Sequence, residues 1–301
     1  MPQPGVLDHD RHHPPILISP EALAKRLADP DLRILDASVE LPAPRFDQDY
    51  RVASGREGWF HNHIPGALHA DLLEDLAQPQ APFSFALPRA DQFTSALASL
   101  GIGADSHIVI YDRADGFWAA RLWWMLRSVG LEAQVLDGGF NAWCAAGLPQ
   151  RQGNESSVPV AERRLRQRPG FWIDRQGVQA VLAGERPGVL VCALSSALFS
   201  GAAPSRYARR GHIPGSLNLP ARNLLDPQGR YLPSEKLQQL AGELLTTSDP
   251  LVLYCGGGIS AAAVALALTL VGRDNILLYD GSLQEWAADS NLPMTTGATP
   301  A

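Results

Sequence analysis

The sequence of 301 residues predicts an α/β protein made of two tandem units, each a doubly wound, mostly parallel sheet with helices on both faces. Three observations predict it. First, the two halves repeat the same motifs in the same order: Asn62-His63-Ile64-Pro65-Gly66-Ala67 recurs as Gly211-His212-Ile213-Pro214-Gly215-Ser216, Ile108-Val109-Ile110-Tyr111-Asp112 as Leu251-Val252-Leu253-Tyr254-Cys255, and Leu136-Asp137-Gly138-Gly139 as Tyr279-Asp280-Gly281-Ser282. Chance similarity would not keep order, so one unit is used twice. Second, the short strand-forming runs are continuously apolar rather than alternating, as in strands covered on both faces. Third, residues 151–168 are polar and without helical periodicity, which marks a linker.

In chain order, the first half predicts strands over 34–37, 108–111 and 133–136, with helices over 91–100, 119–128 and 140–146. The second half predicts strands over 189–193, 251–254 and 276–279, with helices over 234–245, 260–270 and 283–288. Strand followed by helix, repeated, is the pattern of a parallel sheet. The expected boundaries are a first unit over 14–150, a linker over 151–170 and a second unit over 171–295.

Composition narrows the function. The formal net charge is −6 and no long Lys/Arg block occurs, which argues against nucleic acid as a partner. The longest apolar run, Ala261 to Gly272, stops well short of the roughly 20 residues that span a membrane. The N-terminal residues lack the basic patch and apolar stretch of a secretory signal, so a cytoplasmic protein is expected. Three cysteines, Cys144, Cys192 and Cys255, are too few for a disulfide framework, and none has metal-ligand spacing. No metal or cofactor is expected.

Ligands of open parallel sheets sit at the carboxyl ends of strands. There the two copies differ: the first continues after Tyr111 with Asp112-Arg113-Ala114-Asp115-Gly116, the second after Tyr254 with Cys255-Gly256-Gly257-Gly258-Ile259-Ser260. Only the second has a nucleophile. A glycine run can curl its N–H groups inward, and a helix starting near Ser260 aims its positive end at the same spot, so negative charge on the Cys255 sulfur is stabilised. The thiolate is the reactive species. Cys144 and Cys192, inside a predicted helix and strand, read as packing residues. A phosphatase loop of the Cys-x5-Arg type is disfavoured, because Ala261 stands where its arginine would grip phosphoryl oxygens.

With these motifs in order, the chain resembles the tandem-domain rhodaneses, the thiosulfate and 3-mercaptopyruvate sulfurtransferases, from about Ile16 to Pro293. The resemblance rests on the paired HIPG motifs, the Cys255–Ser260 loop, Arg121-Leu122-Trp123-Trp124, and the Asp137 and Asp280 motifs. It implies two rhodanese-like domains, the first inactive and the second catalytic, and a double displacement. In it Cys255 takes a sulfur atom from a small anionic donor, 3-mercaptopyruvate or thiosulfate. It then passes that sulfur to a thiol, cyanide or reduced protein thiol. The uncharged loop leans toward the mercaptopyruvate branch. Gly256, Gly257, Gly258, Ile259 and Ser260 are the implied donor cradle, with Ser260 either capping the helix or bonding the sulfur.

Two departures bear on the donor. Gly257 stands where the mercaptopyruvate enzymes have a serine, so a hydroxyl relay does not transfer. Leu198 stands where the family has an arginine, and the remaining donor cation is Arg206, or else Arg209 or Arg210. His63 reads either as a turn-bracing residue, like His212, or as a cleft residue facing the cysteine. Trp118, Trp123 and Trp124 read as packing, with a cleft wall as the alternative. A second function class is a non-catalytic carrier that relays sulfur to a partner protein.

Overall fold

The computed structural model describes residues 14–297. Residues 1–13, part of the segment read above for targeting signals, lie outside the described residues. No helix among the described residues is long and apolar enough to cross a membrane.

The first unit runs β1 (Leu17–Ile18), α1 (Pro20–Ala24), β2 (Leu32–Asp36), β3 (Val39–Glu40), β4 (Ala53–Ser54), α2 (Arg56–His61), β5 (Ala67–His69), α3 (Ala90–Ser99), β6 (His107–Tyr111), α4 (Phe117–Ser128), β7 (Ala133–Leu136) and α5 (Gly139–Ala145). Its five-stranded sheet has the order β1-β7-β6-β2-β5, parallel throughout. The second runs β8 (Trp172–Ile173), α6 (Arg175–Leu182), β9 (Val189–Cys192), α7 (Ser196–Phe199), β10 (Leu217–Asn218), α8 (Ser234–Ala241), β11 (Leu251–Tyr254), α9 (Ile259–Leu270), β12 (Ile276–Tyr279) and α10 (Ser282–Trp286). Its sheet, β8-β12-β11-β9-β10, repeats the first strand for strand. The short antiparallel β3–β4 ribbon has no counterpart in the second sheet.

Sequence and structure differ at edges. The outer strands β1, β8 and β10 are two residues each, too short to carry a period. The helix predicted over 234–245 breaks at Gly242, whose φ of 48° ends α8 and starts a 3-10 turn. Residues 151–168 form no helix or sheet strand and lie against the first unit, with Val160 N–H donating to Ala98 O (3.1 Å) and Arg168 N–H to Ser128 O (2.7 Å).

The central strands β6 and β11 are apolar and buried apart from His107, and the helices that follow them, α4 and α9, pack on each other across the two units. Alanines at 261, 262, 263, 265 and 267 keep α9 slim, so the bulky α4, with Trp118, Trp123 and Trp124, approaches closely. One hydrophobic core therefore runs through both units, from Leu35 and Ile110 to Val252 and Leu278. The carboxyl ends of β6 and β11, each followed by a loop and the start of a paired helix, are fixed near one another.

Candidate active site

Cys255 is the first residue beyond β11 and is 1% exposed. Its N–H donates to Ser282 Oγ (3.1 Å), its carbonyl accepts from Leu283 N–H (3.1 Å), and the Gly256 carbonyl accepts from Gln284 N–H (2.9 Å). The first turn of α10 thus clamps the outer side of the loop. Ser282 holds a left-handed φ of 46°, and its hydroxyl also donates to Tyr279 O (2.8 Å), so both of its bonds stabilise that strained backbone.

Two glycines have separate causes. A Cβ on Gly256 would lie 1.3 Å from the Tyr207 hydroxyl, so the phenol rests directly on the backbone beside the cysteine. Gly258 has φ 78° and is the N-cap of α9, with no side-chain cap. The first amides of α9 and its positive end are left for a ligand in the cleft. Gly257 faces Gln284 and the first unit's Phe85.

The first copy displays the same loop filled. Asp112 follows β6 as Cys255 follows β11, and its fully buried carboxylate accepts N–H bonds from Ala114 (2.8 Å), Gly116 (3.0 Å) and Ala119 (3.0 Å). Gly116, like Gly258, is an αL N-cap at φ 78°. Burial raises the pKa of Asp112, and the three N–H bonds oppose the rise. One copy holds its own carboxylate; the corresponding loop of the other carries the Cys255 sulfur in its place.

Beneath the loop lies Arg121 of α4. Its guanidinium is 4.8 Å from the Trp172 ring centroid and donates through Nη2 to Asp280 Oδ1 (2.5 Å) and Phe85 O (2.8 Å). Nη1 lies 2.8 Å from where a Cβ on Gly258 would be. Asp280 accepts a second cross-unit bond from Leu87 N–H (2.9 Å), and Gln284 accepts one from Ser84 N–H (2.7 Å).

These elements enclose a cleft of ≈ 390 Å³ between the units. Cys255, Gly256, Gly257, Ile259, Ser260 and Arg206 all line it, and Gly258 stands directly behind as the helix cap. The three candidate arginines differ in their partners. Arg209 is spent on the carbonyls of Trp286, Ala287, Asp289 and Leu292, and Arg210 is paired with Asp47. Arg206 lines the cleft, donates to Pro42 O (2.8 Å) and keeps Nε buried without a partner. Leu198 lines the cleft too, as does Leu194, so this wall is aliphatic.

Two expectations are corrected. His63 does not face the cleft: its ring is fully buried, stacks on Trp59 at 5.0 Å and bonds Trp59 O through Nδ1 (2.8 Å). His212 braces the second turn in the same way, through Phe199 O (2.8 Å). Ser260 does not cap α9, because the helix begins at Ile259 with Gly258 as its cap; Ser260 is a cleft-lining residue of the first turn. Trp118 contributes the aromatic wall, edge-on to Phe85 at 4.9 Å, whereas Trp123 and Trp124 are buried in the core. Tyr207, Arg222, Gln284, Ser282 and the loop-supporting role of Arg121 are missed by sequence reasoning. Of these, Ser282 lies in a motif that the repeat singles out and Arg121 in one that carries the resemblance. Arg222 ion-pairs with Asp115 across the cleft, which neutralises it.

Cys192 sits at the end of β9 beside Tyr254, and burial pushes its thiol up to about 12. It remains a neutral packing group. Cys144 is part of α5.

The glycine contact carries a test. Gly256→Ala drives a methyl into Tyr207 and is expected to lower stability by about 1–3 kcal/mol, the range for overpacking. In a Tyr207→Ala background the same substitution should cost much less in a thermal melt, and additive losses would contradict the contact.

Comparison with known proteins agrees with the geometry. A family model described as a rhodanese-like domain matches residues 19–146 and 196–289. A probable 3-mercaptopyruvate sulfurtransferase of Pseudomonas aeruginosa is 36% identical over 289 residues, covering 93% of this chain and 98% of that protein. The 3-mercaptopyruvate sulfurtransferase of Escherichia coli K12 is 33% identical over 276 residues, covering 90% and 95%. The crystal structure of SseA from Escherichia coli, described with the rhodanese fold, superposes with a TM-score of 0.75 at 29% identity, covering 89% of this chain and 98% of that one.

Proposed function

From the premise that this chain belongs to the rhodanese family and is a sulfurtransferase, we propose that Cys255 is its nucleophile and 3-mercaptopyruvate its preferred donor, with thiosulfate as a second donor. The observation that carries this reading is the pairing of loops. The one after β11 presents a thiol, an uncapped helix end and a cleft, where its twin is closed by the Asp112 carboxylate.

The Cys255 thiolate attacks the donor sulfur and an S–S bond forms. The donor's C–S bond, or the S–S bond of thiosulfate, breaks, and its electron pair leaves with the enolate of pyruvate or with sulfite. The outer sulfur of the persulfide rests against the loop amides. A thiolate acceptor, small or on a protein, or cyanide then attacks that outer sulfur and returns Cys255 as thiolate. Arg206 meets the donor's anionic end. An uncharged loop and an aliphatic wall at Leu194 and Leu198 suit an organic donor better than the dianionic thiosulfate. The carrier reading is not favoured, since the relatives that match over most of their length are named as enzymes. Phosphatase chemistry lacks its cation: Ala261 is buried in α9. We assign the protein to the cytoplasm, where reduced thiols are abundant acceptors.

The test is turnover with each donor, read as sulfur delivered to cyanide or to a small dithiol, together with mass spectrometry of the protein after donor alone. A gain of one sulfur atom on the Cys255 peptide is expected; a gain elsewhere overturns the assignment. Arg206→Ala is expected to raise KM for 3-mercaptopyruvate by about 10–100-fold, since a charge-assisted bond contributes about 1.5–3 kcal/mol and 1.4 kcal/mol is tenfold. Arg210→Ala, whose guanidinium faces Asp47, should leave KM unchanged. Equal effects of the two would remove Arg206 from the donor site.

A further inference from the structure

Transfer from 3-mercaptopyruvate needs a proton that transfer from thiosulfate does not. When the C–S bond breaks, the electron pair is left on a carbon atom as an enolate, which must be protonated to become pyruvate. Sulfite leaves as a stable anion. The residue standing at the relay serine's place is Gly257, which has no hydroxyl. Among the described residues no histidine lines the cleft, and its carboxylate, Asp115, is held by Arg222.

The structure provides a hydroxyl from another element. Tyr207, on the segment between α7 and β10, lines the same cleft as Cys255, and its phenol oxygen lies 1.3 Å from where a Cβ on Gly256 would be. It therefore touches the residue next to the nucleophile and excludes any side chain from that position. Arg206, the proposed anion ligand, is its immediate neighbour in sequence, so one short segment brings both groups to the donor. Burial, and then the Cys255 sulfur, hold the Tyr207 phenol above its ordinary range, so it is protonated at neutral pH. An enolate carbon is basic enough to take that proton.

We propose that Tyr207 is the catalytic proton donor of the half-reaction with 3-mercaptopyruvate, supplying from the second unit the hydroxyl that Gly257 lacks. The inference rests on the donor reading given above. The balance closes without a further reagent. The donor thiol is attacked by the Cys255 thiolate, the S–S bond forms and the C–S bond breaks, giving a protonated persulfide and the enolate. Tyr207 gives its proton to the enolate carbon, and the phenolate takes the proton of the persulfide, which is the more acidic partner. Pyruvate leaves, the persulfide is anionic against the loop amides, and Tyr207 is protonated again. Ser260 is the other hydroxyl on the loop side of the cleft.

The experiment compares Tyr207→Phe with the unaltered protein on 3-mercaptopyruvate and on a donor whose leaving group is a stable anion, thiosulfate or inorganic polysulfide. Phenylalanine keeps the ring, so a thermal melt should be nearly unchanged. The expected result is a fall in kcat with 3-mercaptopyruvate of about 100-fold, at the low end for general acid catalysis, and a change of less than about threefold with the second donor. Imidazolium buffer should restore part of the lost rate with 3-mercaptopyruvate, because a small acid can enter the cleft and protonate the enolate. Equal losses on both donors, or full activity in Tyr207→Phe, overturn the inference, and in the second case Ser260→Ala identifies the alternative acid. Absence of any turnover of 3-mercaptopyruvate by the unaltered protein overturns the donor reading, and this inference with it.

Discussion

Cys255→Ala is expected to abolish sulfur transfer, by at least about 10³-fold, because removal of a covalent nucleophile leaves only binding and the loop amides to act on the donor. The fold should survive. Cys255 is buried but small, and deleting one sulfur atom from a loop held by Ser282, Leu283 and Gln284 through the backbone costs about 1 kcal/mol. No other cysteine can replace it: Cys192 is held as a neutral thiol by burial, and Cys144 is in α5, outside the cleft lining. The check is donor turnover alongside a melting curve. Undiminished turnover in a folded variant would sink the assignment, and persulfide appearing on Cys192 or Cys144 in that variant would show why.

The second large effect is structural. Arg121→Met is expected to cost about 3–5 kcal/mol of stability, the range for breaking a buried ion pair by removing one partner. Arg121 is 1% exposed at its side chain and Asp280 16%, so the stranded carboxylate has little water to turn to. Against total stabilities of about 5–15 kcal/mol this is a large share. Arg121→Lys should recover little, since an ammonium cannot span Asp280 and the Phe85 carbonyl while lying on the Trp172 ring. Pairing Arg121→Met with Asp280→Leu should recover part of the loss, because the unpaired charge is then removed. Urea unfolding measures all three. A loss below about 1 kcal/mol in Arg121→Met would mean that the pair is not the junction it looks to be.

The fold was legible because it is written twice. The paired HIPG, strand and Asp-Gly motifs give the strand order's repetition, and continuous apolar runs such as Leu251–Tyr254 give the parallel sheet. Two-residue edge strands escaped because two residues carry no period. Within the site, the cysteine and its glycines were legible because strand, loop and helix are contiguous. What escaped lies across the junction of the two units or on a loop without a motif. Arg121 is in one copy and supports the loop of the other, Gln284 meets Ser84, Arg222 meets Asp115, and Tyr207 folds onto Gly256. Likewise, three clustered arginines look alike in sequence, and only their partners distinguish Arg206 from Arg209 and Arg210. His63 misled because its motif is shared with a functional neighbourhood, whereas its ring answers to the Trp59 carbonyl.

Asp112 gives the two-copy design an unequal working life. In the proposed cycle the loop at Cys255 alternates between empty and loaded, and each loading changes the charge its amides must solvate. The twin loop is loaded permanently, by a carboxylate that cannot leave. The first unit's loop therefore keeps its own internal partner whatever the other loop holds, and its α4 packs against α9, the helix that follows the Cys255 loop.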